Sequence, residues 1–340
     1  MTAITEARTF GDHGGTRPPE ASIVVPVRAR RRQLGRLLAS IAAQDLAAGR
    51  VEVVVVDNPT RSNQRWLEAA GLPFPVRYAG LPVANRGLSR NVGAALARGR
   101  TLLFADSDVE FTPGAVAALL NASRMRPGTI VMADVVFPPG APRSLGTHLL
   151  DVAAYFRAFR RQRRLGPLGF RHFVSCGFAI SREAFERIGG FDAEFPRYGY
   201  EDVEFAVRAA GAGVEFALAD VKAYHLKVLS PAAVLRQSVE LGRSAVSFVR
   251  LHPAIEDTMP VGVAATTTGE LWFPSDVDVA GLLRHARRLE SRWSAARRPR
   301  YPLLALRDLV AEAREAYRQI TLYGRFTGIR EELSCGTEVA

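Results

Sequence analysis

Apolar and polar positions alternate in blocks along the first third of the chain. The stretch "ASIVVPV", residues 21–27, is continuously apolar and rich in β-branched side chains. That pattern predicts a strand buried on both faces of a parallel sheet. Leu34, Leu37, Leu38 and Ile41 then recur at helical spacing, predicting an amphipathic helix. "VEVVVVDN", residues 51–58, reads as a second buried strand that ends at Asp57. A second helix is expected to turn Leu88, Val92, Ala95 and Leu96 inward, with Gly99 as its closing glycine. "TLLFADSD" gives a third strand, and Thr112-Pro113 is expected to start a helix as N-cap and first-turn proline. The alternation β-α-β-α-β-α predicts a doubly wound, mostly parallel α/β sheet.

Ligands of such sheets bind beyond the carboxyl ends of the strands. Pro26 and Arg28, Asp57, and Asp106-Ser107-Asp108 stand at three of those ends. Three strand ends therefore deliver polar groups to one edge.

The pattern then changes. Leu149, Val152, Ala153 and Phe156 form a helical face, followed by the arginine cluster from Arg157 to Arg164. Residues 173–180, "FVSCGFAI", read as a strand. "SREAFERIGGFD" reads as a helix capped by Ser181 and closed by Gly189-Gly190. "GYEDVEFAVRAAGAG" opens another helix with Val203, Ala206, Val207 and Ala210 on its apolar face, and Glu201 and Asp202 in its first turn. Acids there complement the helix dipole. The next stretch, "VEFALADVKAYHLK", carries His225 near its end. From Ser230 onward the chain reads as arginine-rich helices, interrupted by a loop-like stretch at 252–276.

Composition narrows the classes. The chain has 340 residues, 48% of them hydrophobic, which is ample for a large core. Net charge is +11, which suits an anionic partner without choosing among nucleotide sugar, phospholipid and nucleic acid. No nucleic-acid motif accompanies it. Two cysteines, Cys176 and Cys335, make no disulfide framework. Residues 1–19 lack an apolar signal core and read as a flexible tail. No run of about 18 apolar residues predicts a membrane span.

The chemistry-bearing residues each carry two readings. Asp106 and Asp108 suit a hard divalent cation bridging substrate phosphates, and equally a plain Asp/Ser turn. Asp57 suits a base or ribose contact, or a loop aspartate. Glu201 and Asp202 form an acid–base pair or simply complement a helix terminus. His225 is a metal ligand or an ordinary satisfied histidine. Arg28, Arg86, Arg90 and the 157–164 cluster are anion contacts or solvated charge. Cys176 reads as a small buried residue. No glycine-rich dinucleotide or phosphate loop follows the first strand.

Together "SIVVPVRAR", "VVVVDN", "ANRGLSRNVGAALARG", "LLFADSDVEF", "CGFAISREAFERIGGFDAEF" and "GYEDVEFAVRAAGAG" resemble the family 2 glycosyltransferases of the GT-A fold, over roughly residues 21–228. The last two stretches also look like the acceptor-side segment of animal galactosyltransferases. The resemblance implies a nucleobase contact at Asp57 and a nucleotide pocket lined by Asn85, Gly87, Arg90 and Asn91. It implies Asp106 toward the ribose and metal, Asp108 on Mn2+ or Mg2+, and His225 as a third ligand. It makes Gly177 a point of close sugar approach, Asp202 the general base, and Glu201 a contact to sugar hydroxyls. Two features depart from the pattern. The second strand ends "DNPTRSN" where two acids are common, and the "QxxRW" motif of processive synthases is absent, with Leu289 three residues before Arg292-Trp293.

The implied function is an inverting, non-processive transfer from a nucleotide sugar, UDP being the expected nucleotide, to a hydroxyl of a glycan, lipid, peptide or small metabolite. A sugar nucleotidyltransferase and a basic, non-catalytic binding protein are the rivals. The expected organisation is a tail over 1–19, a catalytic segment over 20–228 divided at 110/111, and a helical region over 229–340. Its amphipathic helices are expected to be packed structural helices, with capping of the acceptor site, a dimer interface or a membrane surface as the alternatives. A cytoplasmic location, with peripheral contact to the inner membrane face, accords with these readings.

Overall fold

The structure, a computed structural model, describes residues 6–10, 18–47, 49–58, 63–139, 144–153, 167–193, 195, 198–253, 277–296 and 303–336. The chain divides into two compact units. The first comprises Met1–Pro139, Phe156–Pro196 and Glu201–Leu226. The second comprises Gly140–Tyr155, Arg197–Tyr200 and Lys227–Ala340, so it takes up two short stretches that lie before the expected boundary at 228/229.

The first unit is built on a nine-stranded sheet. Its strands are β1 (Glu6–Phe10), β2 (Ala21–Val27), β3 (Val51–Asp57), β4 (Val76–Gly80), β5 (Thr101–Ala105), β6 (Val109–Phe111), β7 (Thr129–Val136), β8 (Gly177–Ser181) and β9 (Glu215–His225). They lie in the order β1-β4-β3-β2-β5-β8-β7-β9-β6. β2, β3, β4, β5, β7 and β9 run one way, and β1, β6 and β8 oppose them. β2 and β3 are buried along nearly their whole length, as their β-branched runs predict. Residues 6–10 pair with β4, so part of the expected tail is an edge strand. The run at 173–180 becomes strand only from Gly177.

Helix α1 (Arg31–Ala42) buries Leu34, Leu37, Leu38 and Ile41, the face that their spacing predicts. Helix α3 (Arg86–Leu96), which follows the short α2 (Gln64–Ala69), does otherwise. It buries Gly87, Ser89, Arg90, Gly93 and Ala94, while Leu88, Val92 and Leu96 only flank the core and Ala95 is exposed. A Cβ on Gly93 would stand 2.3 Å from Val24 Cγ1. The helix therefore sits almost on the strand, and its bulky side chains are pushed to its margins. Gly99 is not a helix cap, since a Cβ there would come within 2.5 Å of the Ala21 backbone. Its N–H donates to Ser22 Oγ at 2.8 Å.

Helix α4 (Ala115–Met125) starts after Gly114, at φ +76, and not at Thr112-Pro113. The Thr112 hydroxyl donates instead to the Lys222 carbonyl, tying the turn to β9. Helix α5 (Leu145–Ala153) belongs to the second unit. Phe156 and the arginines at 157–164 lie outside the described residues. Helix α6 (Arg182–Ile188) is capped by Ser181, whose hydroxyl accepts from the Ala184 N–H, and closed by Gly189 at φ +87. Helix α7 (Glu201–Gly211) buries Glu201, Glu204, Phe205, Ala206 and Ala209, a face rotated from the one its valines predict. Glu204 tolerates burial because Arg208 bonds both its oxygens, at 2.6 and 2.7 Å. Phe205 stacks on Phe191 with ring centres 4.3 Å apart.

In the second unit α5 packs with α8 (Pro231–Leu251), α9 (Val279–Ala296) and α10 (Leu303–Gly336). Leu145, Ala286, Leu289, Leu309, Ala313 and Ile320 are core members. Gly242 and Gly328 let the α8 and α10 backbones meet directly. Glu290 accepts from the Leu145 and Gly146 N–H groups at 2.8 and 3.0 Å, capping α5. Burial, with Glu290 beside it, drives the Tyr317 phenol far above its ordinary pKa. Among the described residues no helix is long and apolar enough to cross a membrane.

Candidate active site

The site is assembled at the carboxyl end of β5. The Asp106 N–H donates to the Cys176 carbonyl at 3.2 Å, and the Val109 N–H returns to the Asp106 carbonyl at 3.0 Å. Asp106-Ser107-Asp108 is therefore a tight turn, and its carboxylates are presented by that turn. β6 pairs antiparallel with β9 and sets Val109 opposite His225. The Leu226 N–H donates to the Asp108 carbonyl at 2.7 Å. This register puts His225 Nε2 3.9 Å from Asp108 Oδ1.

Each carboxylate of the turn has an arginine. Arg90, on α3 and 1% exposed, donates from Nη2 to Asp106 Oδ1 at 2.8 Å. Its Nη1 stands 3.6 Å from Glu201 Oε1, and its guanidinium lies 5.1 Å from the centre of the Phe191 ring. Arg30, in the loop between β2 and α1, is hydrogen-bonded from Nη1 to Asp108 Oδ2. Burial by itself would raise the Asp106 carboxyl, but the charges of Arg90, Arg86 and His225 outweigh it and hold the group below its usual range.

Helix α7 brings Glu201 and Asp202 to the same place. Burial is the main cause raising Asp202 to about 7, and the charge of Glu201 adds to it. Arg90 and the Val203 N–H, which donates to Asp202 Oδ1 at 2.9 Å, oppose the rise. Cys176 lies among these acids: burial first, then Asp106, Asp108 and Asp202, push its thiol well above the ordinary value. It is a buried residue, as expected.

The other expected residues fall into two groups. Arg28 is exposed at the end of β2, and Pro26 lies opposite Val56 within the sheet. Asp57 has no exposed surface; its Oδ2 accepts from the Asn63 backbone and side chain and from the Tyr78 hydroxyl. Asn85 caps α3 and donates to the Ala193 carbonyl at 2.8 Å. Asn91 exchanges two hydrogen bonds with the Phe191 backbone, at 2.7 and 2.8 Å. A Cβ on Gly87 would meet the Asp192 carbonyl at 3.2 Å. Asn85, Gly87 and Asn91 thus fasten α3 to the loop after α6. Ser107 is buried in the turn, and Gly177 pairs with Ala105 beside it. Arg30 and Asn58 join the site through partners that no local sequence pattern reports. The Asn58 amide donates to Ser89 Oγ, a partner far away in sequence.

The donor set allows a cation. Asp108 Oδ1 and His225 Nε2, 3.9 Å apart, are an oxygen and a nitrogen donor of the kinds that would suit Mn2+. Among the described residues no group of three His, Cys, Asp or Glu side chains is gathered for a metal. Asp108 and His225 fit as the protein's share of an incomplete shell.

Comparison with known proteins bears on the family and the fold. The family model for glycosyl transferase family 2 matches residues 22–189, and that for the N-terminal domain of galactosyltransferase matches 163–229. Validoxylamine A glucosyltransferase from Streptomyces hygroscopicus is 27% identical over 226 residues, covering 58% of this chain and 52% of that protein. The putative polypeptide N-acetylgalactosaminyltransferase 13 of Drosophila melanogaster is 28% identical over 219 residues, covering 56% and 39%. The chain thus spans about half or less of the curated relatives it matches. Among solved structures, the mannosyltransferase PcManGT of Pyrobaculum calidifontis aligns with a TM-score of 0.52 at 19% identity, covering 91% of this chain and 88% of that one. Residues 1–349 of S. aureus TarS align with a TM-score of 0.51 at 18% identity, covering 90% and 91%. Both place the fold as GT-A.

Proposed function

This chain belongs to glycosyl transferase family 2 through its sheet-bearing unit, and we propose that it moves a sugar from a nucleoside diphosphate to an acceptor hydroxyl with inversion at the anomeric carbon. The observation that carries the reading is Asp202. It is a carboxylate raised to about 7, beside turn carboxylates that are held by arginines. Such a group accepts a proton near neutral pH, which is the property a general base needs.

Asp202 takes the proton of the acceptor hydroxyl as that oxygen attacks the anomeric carbon. The bond from that carbon to the diphosphate oxygen breaks, and its electron pair leaves with the nucleoside diphosphate. Glu201, 3.6 Å from Arg90, would bond sugar hydroxyls, and its proximity raises the proton affinity of Asp202. Asp108 and His225, with Asp106 behind them, would hold Mn2+ or Mg2+. A bound cation supplies charge neutralisation for the departing diphosphate. The PcManGT structure contains GDP-Man and Mn2+, which supports both the donor class and the metal.

UDP is the proposed nucleotide, and transfer is proposed to be non-processive. Asp57 is proposed to act on the base indirectly, by fixing the Asn63 turn and Tyr78. A screen of UDP- and GDP-sugars with Mn2+ or Mg2+ tests the reading. Asp108→Ala is expected to lose donor binding, and Asp202→Asn to keep binding and lose transfer. Turnover of no nucleotide sugar, beside synthesis of one from a sugar phosphate and a nucleoside triphosphate, would place the chain with the nucleotidyltransferases.

A further inference from the structure

Asp108 is the residue proposed above to hold the cation, and a guanidinium already bonds it. Arg30 Nη1 donates to Asp108 Oδ2, while Asp108 Oδ1 faces His225. The two arginines of the turn are not alike. Arg90 is buried and locked between Asp106, Glu201 and the Phe191 ring. The Arg30 side chain is 43% exposed, on a loop. Its guanidinium has solvent to move into, whereas Arg90 has none.

The backbone before Arg30 is special as well. Ala29 has φ +48, left-handed for a residue with a Cβ. That conformation is unfavourable and persists where surrounding contacts hold it. It turns the chain sharply between the end of β2 and the start of α1, and so directs Arg30 back to Asp108. Arg36, six residues further on, makes an ordinary surface pair with Glu110 at 2.6 Å and does not reach the turn.

We infer that Arg30 is an exchangeable counter-ion of Asp108, which a divalent cation displaces when it binds and which reoccupies the carboxylate when the cation leaves. The inference rests on Asp108 being a metal ligand. A carboxylate in a partly enclosed turn, next to another carboxylate, is costly to leave without a cation. Arg30 compensates it in the empty site and must be displaced before both Asp108 oxygens are available. It therefore weakens metal binding to the free protein. On displacement it becomes a positive group beside the site where an anionic donor arrives. Arg30 acts through Asp108 and is a positioning residue.

The test is direct binding of Mn2+ to the full chain without nucleotide, read by electron paramagnetic resonance of the free ion. Wild type, Arg30→Gln, Arg36→Gln and Asp108→Asn are compared, with thermal melting as a folding control. Arg30→Gln is expected to tighten Mn2+ binding by roughly tenfold, as removal of one nearby positive charge should. Arg36→Gln removes the same charge from a surface pair and should change binding by less than about twofold. Asp108→Asn should abolish it. Unchanged or weaker binding in Arg30→Gln, with Asp108→Asn still null, overturns the exchange but leaves the metal site standing. Equal tightening in both arginine variants also overturns it, since net charge alone would then be the cause. Wild-type binding in Asp108→Asn defeats the metal reading itself, and the exchange with it.

Discussion

The two acidic clusters of the site hold carboxylates in opposite states. In the turn after β5, Asp106 is kept below its usual pKa by Arg90, with Arg86 and His225 adding to the effect. At the start of α7, Asp202 is raised to about 7 by burial and by Glu201. The residues lie close together and share Arg90 as a neighbour. What separates them is where the guanidinium bonds: directly to Asp106 and toward Glu201, leaving Asp202 only its own helix terminus. One buried arginine thus sorts the acids into charge holders and a proton acceptor.

The strongest way to break this contrast is to remove the acceptor. Asp202→Asn should lower transfer by roughly 10²–10⁴-fold while nucleotide-sugar affinity, measured by calorimetry, stays near wild type. Removing the arginine should erase the contrast altogether. Arg90→Met removes the nearest positive charge from half-buried Asp106 and buried Glu201, and chemical denaturation should show a loss of roughly 3–5 kcal/mol.

A third experiment uses stability instead of rate. The folded-state pKa of Asp202 lies above its unfolded value of 3.8, so the folded protein binds the extra proton between about pH 4 and 7. The favourable contribution is present at low pH and is lost as pH rises through 7. Asp202→Asn should therefore become more stable than wild type at pH 8 by on the order of 2–4 kcal/mol, with the gap closing toward pH 4. The smallest effect is expected outside both clusters. Arg36→Gln breaks the exposed pair with Glu110 and should change stability by less than about 1 kcal/mol.

The same contrast marks what was legible in the sequence. Asp106 and Asp108 follow a strand end that can be located from its apolar run, whereas the mixed stretch before His225 shows no such run. The β2, β3 and β5 runs and the α1 stripe needed no partner to be read. Helices α3 and α7 resisted because their buried faces are not apolar: Gly93 is inward to let α3 approach Val24, Arg90 to meet Asp106, and Glu204 to meet Arg208. A hydrophobic stripe cannot report a buried ion pair. The amides of Asn85 and Asn91, expected in the nucleotide pocket, reach the backbone of a loop about a hundred residues onward, a contact that no local pattern reports. Arg30 was passed over because its partner Asp108 is remote in sequence and nothing local to "VRARRR" separates one arginine from the next.

The central claim, that Asp202 is the proton acceptor with a pKa near 7, is tested most directly by the pH dependence of kcat/KM at saturating metal. The account predicts a tenfold rise per pH unit below about 7 and a plateau above it. A profile that is flat from pH 5 to 8 would contradict it.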